Sequence, residues 1–368
     1  MLYTNPKLVI TSRHATSGQT AWQSPSNIAL VKYWGKFGRQ YPRNTSISFT
    51  LNNCHTQTHL SYQRKDNYAS AKDISLNFTF EGQSKPLFAE KITHFFDSIT
   101  DIYPFLRQYH FTLSSRNSFP HSSGIASSAS SMSALAMCLI TMEQQLFGAA
   151  ETGAATLQKA SFLARLGSGS ASRSVYPKAA LWGLHSGIKG SANDFALGYE
   201  HRLHDVFKTY QDSILVVSKK EKSVSSRAGH ALMEGNPYAA SRYEQAQKNI
   251  TRLNRILQMG DLADFIPIVE SEALTLHALM MCSTPSFILM HPNTLQVINK
   301  LQAFRQETKV PVCFTLDAGP NVHVLYPRNV KANVEAFIQS ELLPFCEDGN
   351  YWIKDEVGNG ATRIRDKE

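Results

Sequence analysis

At 368 residues, 42% hydrophobic and 18% charged, the chain is long enough for two cores, and its composition excludes a disordered or fibrous protein. The net charge of +8 favours anionic partners. The basic residues are dispersed, however, and even Lys219, Lys220 and Lys222 are broken by Glu221, so they read as solvated faces rather than a nucleic-acid tail. Cys54, Cys138, Cys282, Cys313 and Cys346 show no metal-ligand spacing, the N-terminus has no apolar leader, and the longest apolar stretch (Ala134 to Met142) is too short for a bilayer. These features predict a soluble cytoplasmic protein with reduced thiols and no structural zinc.

In chain order, residues 1–18 read as an extension. Ile28, Leu30 and Lys32 alternate with Ala29 and Val31 in a strand that ends at Gly35, and Ser46–Leu51 alternates again. Lys32, Tyr33 and Lys36 crowd that strand end and suit an anion. More strand patterning fills 53–85, a helix is predicted over Pro86–Ile99, and a strand over Phe105–Ser114. Next comes SFPHSSGIASSASSMSALAMCL, Ser118–Leu139, where turn residues give way to a helical repeat of Ile125, Ala129, Met132, Leu135, Ala136 and Leu139. Serines crowd its first turns. Unpaired N–H groups and the helix dipole at such a start favour phosphate, although no lysine follows the glycine as it does in a GxxxxGK[ST] loop. Close packing of small side chains is the alternative reading.

A helix over Glu151–Leu166 stops at GSGSASRS, Gly167–Ser174, where Ser168, Ser170 and Ser172 surround Arg173. Arginine offers a planar fork for carboxylate or phosphate. The pattern resets at 195–211, which divides the chain into domains over 19–205 and 206–368. The second holds a buried strand at Ser213–Ser218, a helix capped by Ser225 or Ser226, and helices at Pro237–Gln258, Leu262–Met281 and Asn293–Glu307. His277, alone on the middle helix, reads as a packing residue. Strands at Val310–Leu316 and Val322–Tyr326 flank the turn DAGPN. Asp317 sits there at a strand end, as a catalytic carboxylate or as a turn former.

The ordered set PSNIALVKYWGK, NTSISFTL, FPHSSGIASSAS, ARLGSGSASRS, VVSKKEKSVSSR and TLDAGPN resembles the diphosphomevalonate decarboxylases of the GHMP kinase superfamily, from about Trp22 to Tyr326. The resemblance implies an α/β (α+β) GHMP kinase fold. The N-terminal domain would be like domain 2 of ribosomal protein S5, the C-terminal domain ferredoxin-like, with the active site in the cleft between them. It implies ATP-dependent decarboxylation of mevalonate 5-diphosphate to isopentenyl diphosphate, with Mg²⁺ accompanying ATP and no metal-ligating residue assigned, in a homodimer. Carried over by motif, Asp317 resembles the catalytic aspartate and Arg173 the contact to the substrate carboxylate. Ser168, Gly169 and Ser170 resemble the substrate-holding turn. Tyr33, Lys36, Ser226 and Arg227 resemble the diphosphate contacts. Ser123, Gly124, Ser127 and Ser128, with Asn117 upstream, resemble the ATP site.

Three departures from the family pattern stand out: His121-Ser122-Ser123 before the loop glycine, Tyr176-Pro177-Lys178 after the arginine turn, and Lys91 in place of a substrate-contacting arginine. The alternatives are a related enzyme acting on mevalonate or another of its phosphates, and a non-catalytic GHMP-fold binding protein. The latter would have lost Asp317 or Arg173, and both are present.

Overall fold

Strand β1 (Ser17–Val31) runs antiparallel to β2 (Ser46–Arg64), from Ser17 opposite Gln63 to Val31 opposite Ile47, with register shifts between Pro25 and Asn27 and between Ala29 and Val31. The computed structural model describes residues 2–120, 125–148, 153–220 and 224–365. β1 starts eleven residues before the apolar run that announces it, because its first half buries small polar side chains such as Thr20 and Ser24, which carry no hydrophobic signal. β2 passes through Asn52 and Asn53, where the local pattern suggested two separate strands. Asp355, from near the C-terminus, supplies the missing acceptors: its carboxylate takes the N–H groups of Asn52 and Asn53 at 2.8 Å each and that of Cys54 at 2.7 Å. Backbone groups in a buried seam need such partners.

The sheet continues through β3 (Ser75–Phe80), α1 (Pro86–Ser98) and β4 (Tyr109–Asn117). β4 pairs antiparallel with β2 and parallel with β3. The strand predicted to start at Phe105 starts at Tyr109, since Pro104–Arg107 forms a 3₁₀ turn. Helices α2 (Ser127–Phe147) and α3 (Ala154–Gly167) cover the inner face, with Leu135, Met137, Leu139, Phe162 and Leu163 in one core. α2 is buried on nearly every side, not along one stripe. The first residues are packed down as well: Leu8 and Ile10 lie in this core, and the Ile10 N–H donates to Gln108 Oε1 at 2.7 Å. Two short strands, β5 (Ala179–Trp182) and β6 (Ala196–Gly198), attach to the start of β2.

The second half holds β7 (Gln211–Leu215), α4 (Ser226–Ala231), α5 (Ala239–Met259), α6 (Leu262–Met281), α7 (Pro292–Thr308), β8 (Cys313–Thr315), β9 (Val322–Tyr326), α8 (Lys331–Phe337) and β10 (Trp352–Glu356). Its sheet is antiparallel in the order β8-β9-β7-β10. A final strand, β11 (Thr362–Arg363), returns to β1. One face of the smaller sheet packs Phe314, Val322 and Val324 against Val297 and Leu301 of α7 and Val334 of α8. The other puts Ile214, Cys313 and Leu325 into a core shared with Ile28, Leu30 and Phe49 of the larger sheet and Ile250, Leu253 and Phe265 of α5 and α6. That shared core brings the end of β1 to the turn after β8. None of the helices among the described residues is long and apolar enough to cross a membrane.

Candidate active site

Lys32 follows the last residue of β1, and Asp317 lies two residues beyond β8 in the DAGPN turn. Their side chains meet across the seam, Lys32 Nζ donating to Asp317 Oδ1 at 2.9 Å. The lysine side chain is 2% exposed and the carboxylate 23%, so the aspartate is the member that reaches solvent. Lys32 is the cation in contact with Asp317, and Arg173 acts on that carboxylate through its charge. Lys32 was set among the clustered cations of the strand end but given no role of its own. A signal existed: in the sequence Lys32 continues the alternation of Ile28 and Leu30, all three are nearly sealed from solvent, and a buried lysine needs a partner.

The turn is tied down on both sides. The Gly319 N–H donates to the Asp317 carbonyl at 2.7 Å, and the Asn321 amide brackets Ser218 through its N–H and C=O. His277 Nε2 lies 3.1 Å from the same Asp317 carbonyl. A carbonyl only accepts, so this nitrogen carries the proton. Burial is the main cause that lowers the His277 pKa to about 4, from 6.5. A depressed folded-state value means stability is fully present above pH 6.5 and is lost as pH falls toward 4, by roughly 3 kcal/mol in all. His277→Gln is therefore expected to flatten the decline in Tm between pH 6.5 and 4, read by scanning calorimetry; an unaltered decline would remove His277 as its cause.

Arg173 ends the 3₁₀ turn Gly169–Ser172 after α3. It is 2% exposed, and its guanidinium donates to Ser46 Oγ (2.5 Å), Ser48 Oγ (3.0 Å) and Asn27 Oδ1 (3.3 and 3.4 Å). Each of these acceptors is neutral. Burial lowers its pKa to about 10, with the Asp317 charge partly offsetting. A buried cation whose hydrogen bonds all go to neutral acceptors, with Asp317 acting on it only through charge, retains the capacity to bond an anion. The turn carrying it admits only glycine at 169, where a Cβ would stand 2.7 Å from the Trp182 ring and 2.8 Å from the Tyr33 hydroxyl. Ser170 accepts from the Asn27 amide through its carbonyl at 3.3 Å.

The Tyr33 ring packs on Trp182 and His230, with centroids at 4.8 and 4.3 Å. Its buried hydroxyl has no protein hydrogen-bond partner among the described residues. α4 fits closely onto this segment: a Cβ at Gly229 would lie 2.5 Å from the Trp34 ring, and the Gly35 N–H donates to His230 Nδ1 at 3.0 Å. The structure thereby brings Tyr33 and Lys36 together with Ser226 and Arg227 at the start of α4. Burial, then the Arg227 charge, lower the pKa of half-buried Lys36. Two cations that repel each other this way favour a polyanion between them.

The serine-rich loop is only partly described. Ser123, Gly124 and the His121-Ser122-Ser123 departure lie outside the described residues. Ser127 accepts from the Asn117 amide at 3.0 Å, and Asn117 in turn accepts from Thr56 at 2.8 Å, so Asn117 fastens the start of α2 to β2. Ser130 and Ser131 bond back to the Ser127 carbonyl. Ser128 is exposed and stands 3.3 Å from Ser168 Oγ. Of the other departures, Lys178 adopts a positive φ of 59°, and Lys91 lies on the exposed face of α1 with its ammonium over the Phe88 ring. Among the described residues, no three His, Cys, Asp or Glu side chains form a metal-holding group.

Two sheets sharing a core, with a lysine–aspartate pair, a buried arginine bonded only to neutral acceptors and a basic corner along it, define a two-domain enzyme of the GHMP kinase fold. Residues 24–193 match the diphosphomevalonate decarboxylase-like N-terminal domain, and residues 213–365 match the mevalonate 5-diphosphate decarboxylase C-terminal domain. The chain belongs to the diphosphomevalonate decarboxylase family. It is 26% identical to diphosphomevalonate decarboxylase of Debaryomyces hansenii, over 87% of this chain and 81% of that one. It is 28% identical to phosphomevalonate decarboxylase of Haloferax volcanii, over 80% and 84%. The mevalonate diphosphate decarboxylase structure from Staphylococcus aureus superposes with a TM-score of 0.79 at 26% identity, covering 95% of this chain and 98% of that one. A further structure, in complex with MVAPP, AMPPCP and magnesium, has a TM-score of 0.76 at 24% identity, covering 95% and 99%, and shares the fold.

Proposed function

We propose that this chain decarboxylates mevalonate 5-diphosphate with ATP, yielding isopentenyl diphosphate, ADP, phosphate and CO2 in isoprenoid biosynthesis. The observation that carries the reading is the Lys32–Asp317 pair beside a sealed Arg173 whose protein partners are all neutral. In this reading the Arg173 fork takes the C1 carboxylate. Asp317, oriented by Lys32, takes or directs the proton of the C3 hydroxyl as that oxygen is phosphorylated. When the C3–O bond breaks and phosphate departs, positive charge develops at C3, and Asp317, ionised again once it has passed any proton it took to solvent, stabilises it as a carboxylate. Breaking the C1–C2 bond releases CO2, and its electron pair forms the alkene.

Tyr33, Lys36, Ser226 and Arg227 hold the diphosphate. The first turn of α2, with small side chains and exposed Ser128, fits the ATP phosphates. Mg²⁺, when bound with ATP, would neutralise phosphate charge there, and exposed Ser128 would offer it a hydroxyl. The decisive test is ATP-dependent release of labelled CO2 from C1-labelled mevalonate 5-diphosphate. ADP formed without CO2 would make the protein a kinase and overturn the role of Arg173.

The similarity to the Haloferax enzyme favours a second reading, a substrate with one phosphate. The cationic corner of Lys36 and Arg227 argues for two. Comparing kcat/KM for mevalonate 5-phosphate and 5-diphosphate decides between them. Tyr33→Phe removes the orphan hydroxyl and is expected to raise KM for the diphosphate by about 10- to 100-fold with little change in kcat, the worth of one hydrogen bond to a charged group. An unchanged KM would take Tyr33 out of the site. We also place the protein in the cytoplasm as a homodimer; light scattering tests the dimer.

A further inference from the structure

We propose that Glu272 and Arg242 are positioning residues for the Lys32–Asp317 pair: the ion pair they form grips residue 32 by its backbone, fixes where its ammonium meets Asp317, and as a balanced pair keeps that ammonium charged. This deepens the decarboxylase reading and rests on it.

The two side chains come from α6 and α5 and are 0% and 1% exposed. Arg242 donates twice to the carboxylate, at 2.9 and 2.5 Å, and Asn249 Nδ2 donates to Glu272 Oε1 at 2.6 Å. What sets the pair apart is its third partner. The Lys32 N–H donates to Glu272 Oε2 at 2.9 Å, and the Lys32 carbonyl accepts from Arg242 Nη2 at 3.2 Å. Asn44 Nδ2 donates to that carbonyl at 3.0 Å. Residue 32 stands just past β1, and an ion pair from the opposite domain fills the place of the next strand. A buried ion pair is a poor source of stability, because well-packed apolar residues of the same volume do as well. Its directional bonds, though, locate a backbone in a way that apolar packing does not.

The charges around Lys32 give the pair a second effect. Asp317 faces it from the turn after β8, Glu272 and neutral His277 from α6, Arg242 from α5, Arg173 from the turn after α3, and Asp212 from β7. Burial works against the ammonium, and Arg173 adds to that; Asp317 and then Glu272 work for it. If Glu272 loses its charge, Arg242 becomes a second uncompensated cation. An arginine keeps its proton, so the lysine is the group that gives one up.

The test compares the wild type with Glu272→Gln and with the double variant Glu272→Gln/Arg242→Gln, which is charge-balanced again. kcat and KM are followed from pH 6 to 10, with Tm recorded for each protein. Glu272→Gln is expected to lower kcat by about 10- to 100-fold, as misplacement of a catalytic group does. It is also expected to move the alkaline limb of kcat down by about one pH unit, with KM for ATP nearly unchanged. The double variant is expected to move the limb back and to recover part of kcat. A lower Tm and kcat with an unmoved limb, or a double variant no better than the single one, would reduce the pair to a structural contact and overturn the proposal.

A second measurement is independent of turnover. In protein labelled with ¹³Cε-lysine, the Lys32 resonance, assigned by its loss in Lys32→Met, should titrate at lower pH in Glu272→Gln and return in the double variant. If the wild type releases no CO2, the decarboxylase reading fails, while this titration still decides what Glu272 does to Lys32.

Discussion

Asp317→Asn is expected to lower kcat for CO2 release by about 100- to 10,000-fold, the range spanned by loss of a general acid–base group, with Kd for mevalonate 5-diphosphate within a few-fold of wild type. The side chain keeps its size and one oxygen, so Lys32 keeps a hydrogen-bond acceptor while losing its anion. The residues assigned to the diphosphate are untouched. Calorimetric binding together with single-turnover release separates the two effects. Normal turnover would remove Asp317 from the chemistry, whereas loss of binding in step with kcat would make it a substrate anchor.

Arg173→Gln should act on binding and on chemistry together. We expect kcat/KM for the diphosphate substrate to fall by about 30- to 5,000-fold, the 2–5 kcal/mol that truncation of one member of a buried charge pair costs. Arg173→Lys should recover part of this, because lysine restores the charge without the planar fork. Ligand binding gives the complementary reading. The wild-type protein holds the Arg173 cation against burial, with neutral acceptors bonded to it and the Asp317 charge as the main offset to the cost. A substrate carboxylate relieves that cost, so substrate should raise Tm clearly in the wild type and much less in Arg173→Gln. Equal shifts in both proteins would place the carboxylate elsewhere.

Much of the fold was legible locally. α6 begins and ends where its pattern predicts, at Leu262 and Met281, with Asp261 accepting from the Asp264 N–H as its cap. A long helix repeats its instruction every turn, so local signal accumulates. The strands were read less well. β1 begins at Ser17 and not at Ile28, and β7 begins at Gln211, two residues before the SILVVS run, because both bury polar residues at those ends: Thr20 and Ser24 in one, Gln211 and Asp212 in the other. A buried polar residue reads as exposed until its partner is known, and Asp212 finds its own in His323, 111 residues away.

The sequence by itself determined the family, through six short motifs in order, and with them the residue types that its chemistry needs. Only the tertiary structure decided how those residues act on one another. Lys32 meets Asp317 from 285 positions away, and its N–H meets Glu272 from 240. Glu272 lies on the buried side of α6 among Ile268, Val269, Ala273 and Leu276, a carboxylate on an apolar face that signals a partner without naming it. The physical reason is common to all of these. Local structure follows from interactions within a turn of helix or along a strand, which periodicity records. The pairing of buried charges follows from which surfaces the shared core brings together, and no spacing along the chain encodes that distance.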